Sequence, residues 1–328
     1  MPRRDSSRLL RVPALSHYEF RELPQLLNPG DLLVVNNSRV FPARLFGKTG
    51  RGTSVELLLL RPLASGHWEV LARPAKRLDK GTTLELGGGL LQAKVIGCFG
   101  YGKRTVEFSF EGDFFEKVEK IGQTPLPPYI KRAGMKLEGR DRERYQTVYA
   151  RERGSVAAPT AGLHFTPEVL GVLGERGIDV AEVTLHVGYG TFQPIRTESV
   201  EEHQMESERF TIPEKTFQAL ERTRAQGGAV IAVGTTAVRT LESAGDERGL
   251  VRAGSSETDL FIYPGYRFKV VDGLLTNFHL PKSSLFLLVS AFGGREVMRR
   301  AYQEAIRERY RFYSYGDCML ISPEAKKM

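Results

Sequence analysis

Asp31-Leu-Leu-Val-Val-Asn36 is a run of four apolar residues with no polar residue alternating among them. That is the pattern of a strand buried on both faces of an α/β sheet. The sequence that follows is different in kind. From about Ala43 to Glu119 short alternating stretches dominate: Val55–Leu60, Trp68–Ala72, Thr83–Leu86, Leu91–Ile96 and Thr105–Phe110. Glycine-rich turns such as Gly87-Gly-Gly89 and Gly100-Tyr-Gly102 separate them. Five or six short strands at this spacing predict a small antiparallel barrel. Pro125-Leu-Pro-Pro-Tyr-Ile130 then reads as a rigid, extended exit.

Beyond about residue 150 helices and strands alternate, which predicts an α/β layer architecture with parallel strands. Thr166 is a good N-cap, Pro167 fits the first helical position and Glu168 complements the dipole, so a helix runs to about Glu175 and stops at Gly177. Asp179 to Val187 alternates as a strand and opens into Gly188-Tyr-Gly-Thr-Phe192. A helix through Phe217 and Leu220, the strand Ala229–Val233, and Gly234-Thr-Thr236 leading into a helix from about Ala237 to Ser243 repeat the unit. Ligands in such sheets gather beyond the carboxyl ends of the strands, so both glycine-containing loops are candidate site walls. The expected fold is α/β: a main α/β/α layered domain of residues 1–42 and 123–328, with an antiparallel β-barrel of residues 43–122 inserted.

At 328 residues the chain is long enough for two cores. No apolar run approaches a membrane span and the first residues lack the apolar stretch of a signal peptide. Cys98 and Cys318 offer neither metal-ligand spacing nor a disulfide framework, so a reducing cytoplasm is the expected compartment and small buried side chains their expected role. A net charge of +8 allows a polyanionic partner without demanding one. Basic residues cluster at Arg3, Arg4, Arg8 and Arg11, at Arg73, Lys76 and Arg77, at Lys131 and Arg132, and from Arg140 through Arg153. Several clusters have aromatic or amide neighbours, as in Arg142-Glu-Arg-Tyr-Gln-Thr-Val-Tyr149. Any single cluster is explained by a solvated face; their number favours nucleic acid.

Two motifs fail on inspection. Gly97-Cys-Phe-Gly-Tyr-Gly-Lys103 has the spacing of a phosphate-binding loop, but Arg104 replaces the magnesium-binding hydroxyl and a strand follows in place of a helix. Glu201-Glu-His-Gln-Met-Glu206 mixes histidine and carboxylates but lacks the two-histidine spacing of a helical metal site, so no metal is expected. No Gly-x-Gly-x-x-Gly follows a strand and no Gly-x-Ser-x-Gly occurs, which disfavours dinucleotide, methyltransferase and serine hydrolase sites. His164, His186 and His279 lie in segments dense with Gly, Thr and Asn. Each alone is explained by a structural hydrogen bond. With Thr160, Thr191, Thr235, Thr236, Asn277 and Asp317 they form a polar set too rich for connecting loops.

The ordered motifs resemble those of the S-adenosylmethionine:tRNA ribosyltransferase-isomerase family of queuosine biosynthesis. The resemblance is nearly end to end. It is carried by Arg4-Asp-Ser-Ser-Arg-Leu-Leu10, Gly30-Asp-Leu-Leu-Val-Val-Asn-Asn37, Arg39-Val-Phe-Pro-Ala-Arg44, Pro125–Ile130 and Asp141-Arg-Glu-Arg-Tyr-Gln-Thr-Val-Tyr149. It continues through Gly154–Thr166, Thr184-Leu-His-Val-Gly-Tyr-Gly-Thr-Phe192, Val233-Gly-Thr-Thr-Ala-Val-Arg-Thr-Leu-Glu242, Thr276-Asn-Phe-His-Leu-Pro281 and Tyr310-Arg-Phe-Tyr-Ser-Tyr-Gly-Asp317. The sequence departs from the family in the short segment before Arg4, and at Glu206, where the family typically has histidine, so that histidine's role does not carry over.

The resemblance implies transfer and isomerisation of the ribosyl group of S-adenosylmethionine onto the aminomethyl group of a 7-deazaguanine at the tRNA wobble position. S-adenosylmethionine is then a consumed cosubstrate with no separate cofactor, and the tRNA carries a GUN-type anticodon. Such chemistry needs a base beside the sulfonium and an acid for the departing adenine. His164 and His186 are the expected proton carriers, with His279 and Asp317 in reserve. Thr160, Gly188, Gly190, Thr191, Gly234, Thr235, Thr236 and Asn277 are expected to hold the cosubstrate. Lys131, Arg132, Arg140, Arg142 and Arg144 are expected on phosphates, with Tyr145 stacking on an anticodon base. A non-catalytic tRNA-binding protein and a tRNA methyltransferase are the competing readings. A monomer is expected.

Overall fold

The computed structural model describes residues 3–63, 66–127, 130, 138–192, 195, 197 and 199–327, with only the backbone described at 138, 140, 191, 192, 326 and 327. In chain order its elements are β1 (Arg8–Val12), β2 (Ser16–Glu19), β3 (Leu32–Asn36), β4 (Ser38–Val40), β5 (Arg44–Thr49), β6 (Ser54–Pro62), β7 (His67–Arg73), β8 (Thr83–Leu86), β9 (Leu91–Cys98) and β10 (Lys103–Ser109). Then come α1 (Phe114–Ile121), α2 (Glu138–Arg144), β11 (Glu152–Ser155), α3 (Pro167–Glu175), β12 (Asp179–Leu185), β13 (Glu208–Ile212), α4 (Glu214–Ala225) and β14 (Val230–Val233). The last are α5 (Thr235–Ala244), β15 (Gly254–Thr258), β16 (Gly273–Asn277), α6 (Ser284–Gly293), α7 (Arg295–Arg307) and β17 (Cys318–Ile321).

Two compact units result, one of residues Met1–Arg39, Gln146–Glu152 and Ala158–Met328, the other of Val40–Tyr145 and Arg153–Ala157. In the first, nine strands form one sheet in the order β15-β13-β12-β3-β14-β16-β17-β1-β2. β3 lies inside the sheet and all five of its residues are buried, as its uninterrupted apolar run predicts. β12 and β14 flank it in parallel, with Val35 opposite Val233 and Asn36 opposite Val183. The sheet is mixed, where the sequence predicted parallel strands. β13 and β15 add in antiparallel fashion beyond β12, β17 runs antiparallel to β16, and β2 antiparallel to β1. Three residues link β1 to β2, too few for a parallel crossover.

Alternation along the strands divides the core. Leu33, Val35, Ile231, Val233, Leu275 and Leu320 pack with Phe20, Leu23, Phe165, Val169 and Leu173 on one face. Leu32, Val34 and Ala232 therefore point to the other, and α4 and α5 pack against these strands. Helix α3 forms as its sequence dictates: Val169 N donates to Thr166 Oγ1 at 3.3 Å, Pro167 opens the first turn, and Gly177 at φ 73° ends it.

In the second unit β10-β7-β6-β5-β8-β9 close into an antiparallel barrel. Leu45, Leu57, Leu59, Val70, Leu86, Leu91, Val95 and Val106 are fully buried there. A Cβ on Gly47 would sit 2.1 Å from Glu85 O, so the close approach of β5 to β8 requires glycine. This unit extends past the expected boundary at residue 122. Gln123 N donates to Arg44 O at 2.8 Å and Arg44 N to Gln123 O at 3.1 Å, which keeps the chain leaving the barrel paired with β5. Part of the 125–130 exit, at residues 128 and 129, lies outside the described residues. Among the described residues no helix is long and apolar enough to cross a membrane, and no three His, Cys, Asp or Glu side chains group as a metal would need.

Candidate active site at the carboxyl edge of the sheet

Parallel pairing brings the carboxyl ends of β3, β12, β14 and β16 to one edge. The residues that leave this edge are Asn36-Asn37, His186 to Gly190, Gly234 to Thr236, and Asn277 to His279. β17 begins at the same edge, because Asn277 pairs with Cys318, and so does β1, because Leu9 pairs with Cys318. Arg8 and Asp317 therefore meet there.

His164 ends a short 3₁₀ helix, Thr160–His164, and is 4% exposed. Its Nδ1 lies 2.7 Å from Ser7 Oγ and its Nε2 3.2 Å from Asn277 Nδ2, while its ring stacks on Phe20 at 5.2 Å. An amide N–H donates, so Nε2 accepts and Nδ1 carries the proton. Ser7 Oγ accepts that proton and turns its own hydroxyl towards Arg4 O at 3.4 Å. Burial lowers the His164 pKa to about 4, although Asp317 and the Asn277 hydrogen bond oppose the shift. The ring is neutral at pH 7 with both nitrogens committed. Through these two contacts His164 joins β16 to the segment before β1. Asn277 Nδ2 also donates to Tyr313 O at 3.1 Å, and its buried Oδ1 has no partner among the described residues.

Asp317 is fully buried. Burial works to raise its pKa, but the Arg311 side chain and the amides of Arg311 and Arg8 outweigh it and hold the carboxyl below the usual range. Arg8 N donates at 2.9 Å, Arg311 N at 2.8 Å and Arg311 Nε at 3.2 Å. The carboxylate so surrounded ties Arg8, at the start of β1, to Arg311 in the segment before β17. His279 is half-buried; its Nε2 lies 2.8 Å from Thr276 Oγ1, its N–H donates to Tyr302 Oη at 2.9 Å, and burial lowers its pKa to about 4. His186 differs. It is half-buried, its N–H continues the ladder to Arg209 O at 3.0 Å, and its Nδ1 has no partner among the described residues. Burial, and then Arg209, lower its pKa against the pull of Glu152.

Gly234 turns the chain from β14 into α5 at φ 86°, a left-handed conformation that favours glycine, and a Cβ there would lie 3.5 Å from Ala161 Cβ. Asn36 fixes this corner: Nδ2 donates to Thr236 Oγ1 at 3.2 Å and to Leu185 O at 3.0 Å, and Oδ1 accepts from Leu185 N and Ser38 N at 3.1 Å. Thr235 and Thr236 line a narrow cleft with Met205, Phe261, Ser284 and Leu288. Gly188 N donates to Glu208 Oε1 at 2.7 Å, and Glu208 is ion-paired with Arg239 of α5, both buried. Arg239 Nε also donates to Leu260 O at 3.0 Å. A Cβ on Gly190 would come 3.1 Å from Glu206 Oε2. Thr160 opens the His164 3₁₀ helix, and Thr191 lies in the 3₁₀ turn Tyr189–Phe192, its side chain outside the described residues.

The proposed phosphate contacts divide. Arg142 is exposed and ion-paired with Glu119, and Arg144 is half-buried in the last turn of α2. Lys131, Arg132 and the Arg140 side chain lie outside the described residues. Tyr145 is fully buried, so its ring offers no face to a splayed base, and that expectation is corrected. Sequence reasoning missed Ser7, Asn36, Glu208 and Arg239. Arg239 and Glu242 stood three apart among Ala237, Val238 and Leu241, a signal that two charges would be buried. Glu242 indeed accepts from the amides of Lys269, Val270 and Val271 at 2.9 to 3.0 Å.

The family model described as Queuosine biosynthesis protein matches residues 1–321. The S-adenosylmethionine:tRNA ribosyltransferase-isomerase of Pelotomaculum thermopropionicum is 54% identical, the alignment covering 98% of this chain and 94% of that protein. The protein of the same name from Heliobacterium modesticaldum is 52% identical over 97% and 93% of the two chains. The crystal structure of S-adenosylmethionine tRNA ribosyltransferase from Thermotoga maritima is similar with a TM-score of 0.52 and 38% identity, covering 97% of this chain and 93% of that one. The matches run over nearly the whole chain, and the chain belongs to the S-adenosylmethionine:tRNA ribosyltransferase-isomerase family of queuosine biosynthesis proteins.

Proposed function

We propose that this chain transfers and isomerises the ribosyl group of S-adenosylmethionine onto the 7-aminomethyl group of 7-aminomethyl-7-deazaguanine at the tRNA wobble position, giving epoxyqueuosine with release of adenine and methionine. The observation that carries the reading is the convergence of family motifs on one sheet edge, where, among the described residues, His186 keeps a nitrogen without a partner and Asn277 a buried acceptor without one.

S-adenosylmethionine is consumed as a cosubstrate, with no separate cofactor. The first amides of α5, presented by Gly234, Thr235 and Thr236, suit its carboxylate. Asn277 Oδ1 suits a donor such as an amino group. His186, neutral near pH 7, is the proton carrier; His164 and Asp317 position the edge, and His279 supports Asn277 through Thr276. Gly188, Gly190, Thr191 and Thr160 border the cosubstrate. The exposed arginine Arg142, with Arg144, Arg140, Lys131 and Arg132, contacts phosphates of a tRNA with a GUN-type anticodon, and the enzyme works as a cytoplasmic monomer.

Incubation with S-adenosylmethionine and tRNA bearing the aminomethyl-deazaguanine tests the reading. Adenine and methionine appear and the wobble base gains a ribosyl-derived mass. S-adenosylhomocysteine in their place signals methyl transfer, and no adenine signals binding alone. Full turnover by folded His186→Ala removes His186 from the proton transfers.

A further inference from the structure

The turn between β9 and β10 has no part in the chemistry above. It is the Gly97–Lys103 segment whose spacing imitates a phosphate loop. In the structure Gly100–Gly102 form a 3₁₀ turn with Tyr101 at φ 57°, a left-handed conformation disfavoured for a bulky residue. Tyr101 is 90% exposed and Phe99 60%.

Arg104, the residue that breaks the phosphate-loop pattern, holds this turn. Its buried guanidinium donates to Phe99 O at 3.2 Å, Lys103 O at 2.8 Å, Leu78 O at 2.7 Å and Ala75 O at 2.6 Å. The last two bonds fix the 74–78 loop beside the turn, and a Cβ on Gly102 would already lie 3.3 Å from Ala72 O. That loop carries Lys76 and Arg77, both exposed, next to exposed Arg73. Lys103 is paired with Glu69 at 3.1 Å, and exposed Asp79 and Lys80 offset each other. Two solvent-facing rings thus stand beside three exposed cations on a frame tied by one buried arginine. Rings offer a stacking face to any base and cations meet phosphates, and a frame already ordered loses little entropy on binding.

We propose that the β9–β10 turn of the barrel is a tRNA contact, with Tyr101 and Phe99 stacking on unpaired nucleotides and Arg73, Lys76 and Arg77 on the flanking phosphates. The inference rests on tRNA being the substrate. Polyanion complementarity selects RNA over a protein partner.

Tyr101→Gly removes the ring and suits the left-handed φ, so the turn keeps its shape. The adenine-release assay then shows the KM for tRNA rising about tenfold, with the KM for S-adenosylmethionine at the parent value. Tyr101→Trp keeps tRNA KM near the parent's. Lys76→Ala with Arg77→Ala lowers the slope of log affinity against log salt by roughly 1.4 to 1.8. Cys98 is exposed and Cys318 buried, so a thiol-reactive photocrosslinker reports from this turn and joins it to tRNA. Unchanged tRNA KM and salt slope, or crosslinking no greater than in the Cys98→Ser chain, overturns the proposal while adenine release continues. A change in sedimentation of Tyr101→Gly at unaltered tRNA KM makes the face a contact between copies and overturns it too. Absence of adenine release from the parent chain defeats the proposed reaction instead, and direct tRNA binding still reads the turn.

Discussion

Acid should weaken the sheet unit through His164, by an amount set by how that ring is held. Its folded pKa is about 4 against an ordinary 6.5, because burial excludes the charged form. Between those values the unfolded chain binds a proton that the folded chain refuses. Stability is therefore complete above pH 6.5 and is lost as pH falls towards 4. At pH 4.5 the loss from this group alone is about 2.5 kcal/mol, roughly a seventy-fold shift towards unfolding. His164→Asn removes the titrating group. Hydrogen exchange of peptides covering β3 and β14, measured at pH 7.5 and 4.5 in the parent and the variant, isolates the effect. His279 shifts in the same direction but is present in both proteins, so it cancels. The variant is less stable at pH 7.5, having lost bonds to Ser7 and Asn277, yet its further loss at pH 4.5 is smaller by about 2.5 kcal/mol. Equal pH dependence in the two proteins refutes the description of His164 as a buried neutral ring.

Other outcomes follow from packing and charge. Arg239→Met leaves the buried Glu208 without its ion-pair partner and costs about 3–5 kcal/mol in urea denaturation, and adding Glu208→Gln recovers part of the loss; additive losses contradict the pairing. Gly162→Ala places a Cβ 2.2 Å from Tyr149 Oη and costs about 1–3 kcal/mol by thermal melting, partly restored by Tyr149→Phe, whose removed hydroxyl has no partner among the described residues. Asp317→Asn costs about 2–4 kcal/mol near neutral pH. Because the Asp317 pKa is lowered in the folded chain, the parent's contribution is lost as pH falls through the acid range, and the variant's acid limb is flatter in a pH series of melts.

The architecture was legible where local pattern decides it. The uninterrupted Leu32–Val35 run marked a strand covered on both faces, and Thr166, Pro167 and Gly177 marked both ends of α3. Alternation in 55–110 marked the barrel. The direction of β13, β15 and β17 was not legible, because a strand's own residues do not say which way its neighbour runs. The same limit applied to the site. Motif density located the sheet edge, but His164 meets Ser7 across 157 residues and Asp317 meets Arg8 across 309. Whether a polar group is satisfied depends on such distant partners. Tyr145 looked like a ring among arginines, and only tertiary burial removed it from the surface. Arg104 read as the flaw in a nucleotide loop and is the clamp of a hairpin.

The strand order has a consequence for synthesis. β3 emerges early, but its two neighbours arrive with residues 179 and 230, and β17, which separates β16 from β1, comes at Cys318. The barrel strands, by contrast, all lie within one stretch of 66 residues, Arg44–Ser109. On a translating ribosome the barrel can close while the early strands still wait for partners. The sheet edge that joins Asn277 to Cys318 exists only once nearly the whole chain is out. An unfinished chain can therefore close its barrel but cannot assemble the carboxyl edge of the sheet, which makes that edge the last part of the fold this polypeptide completes.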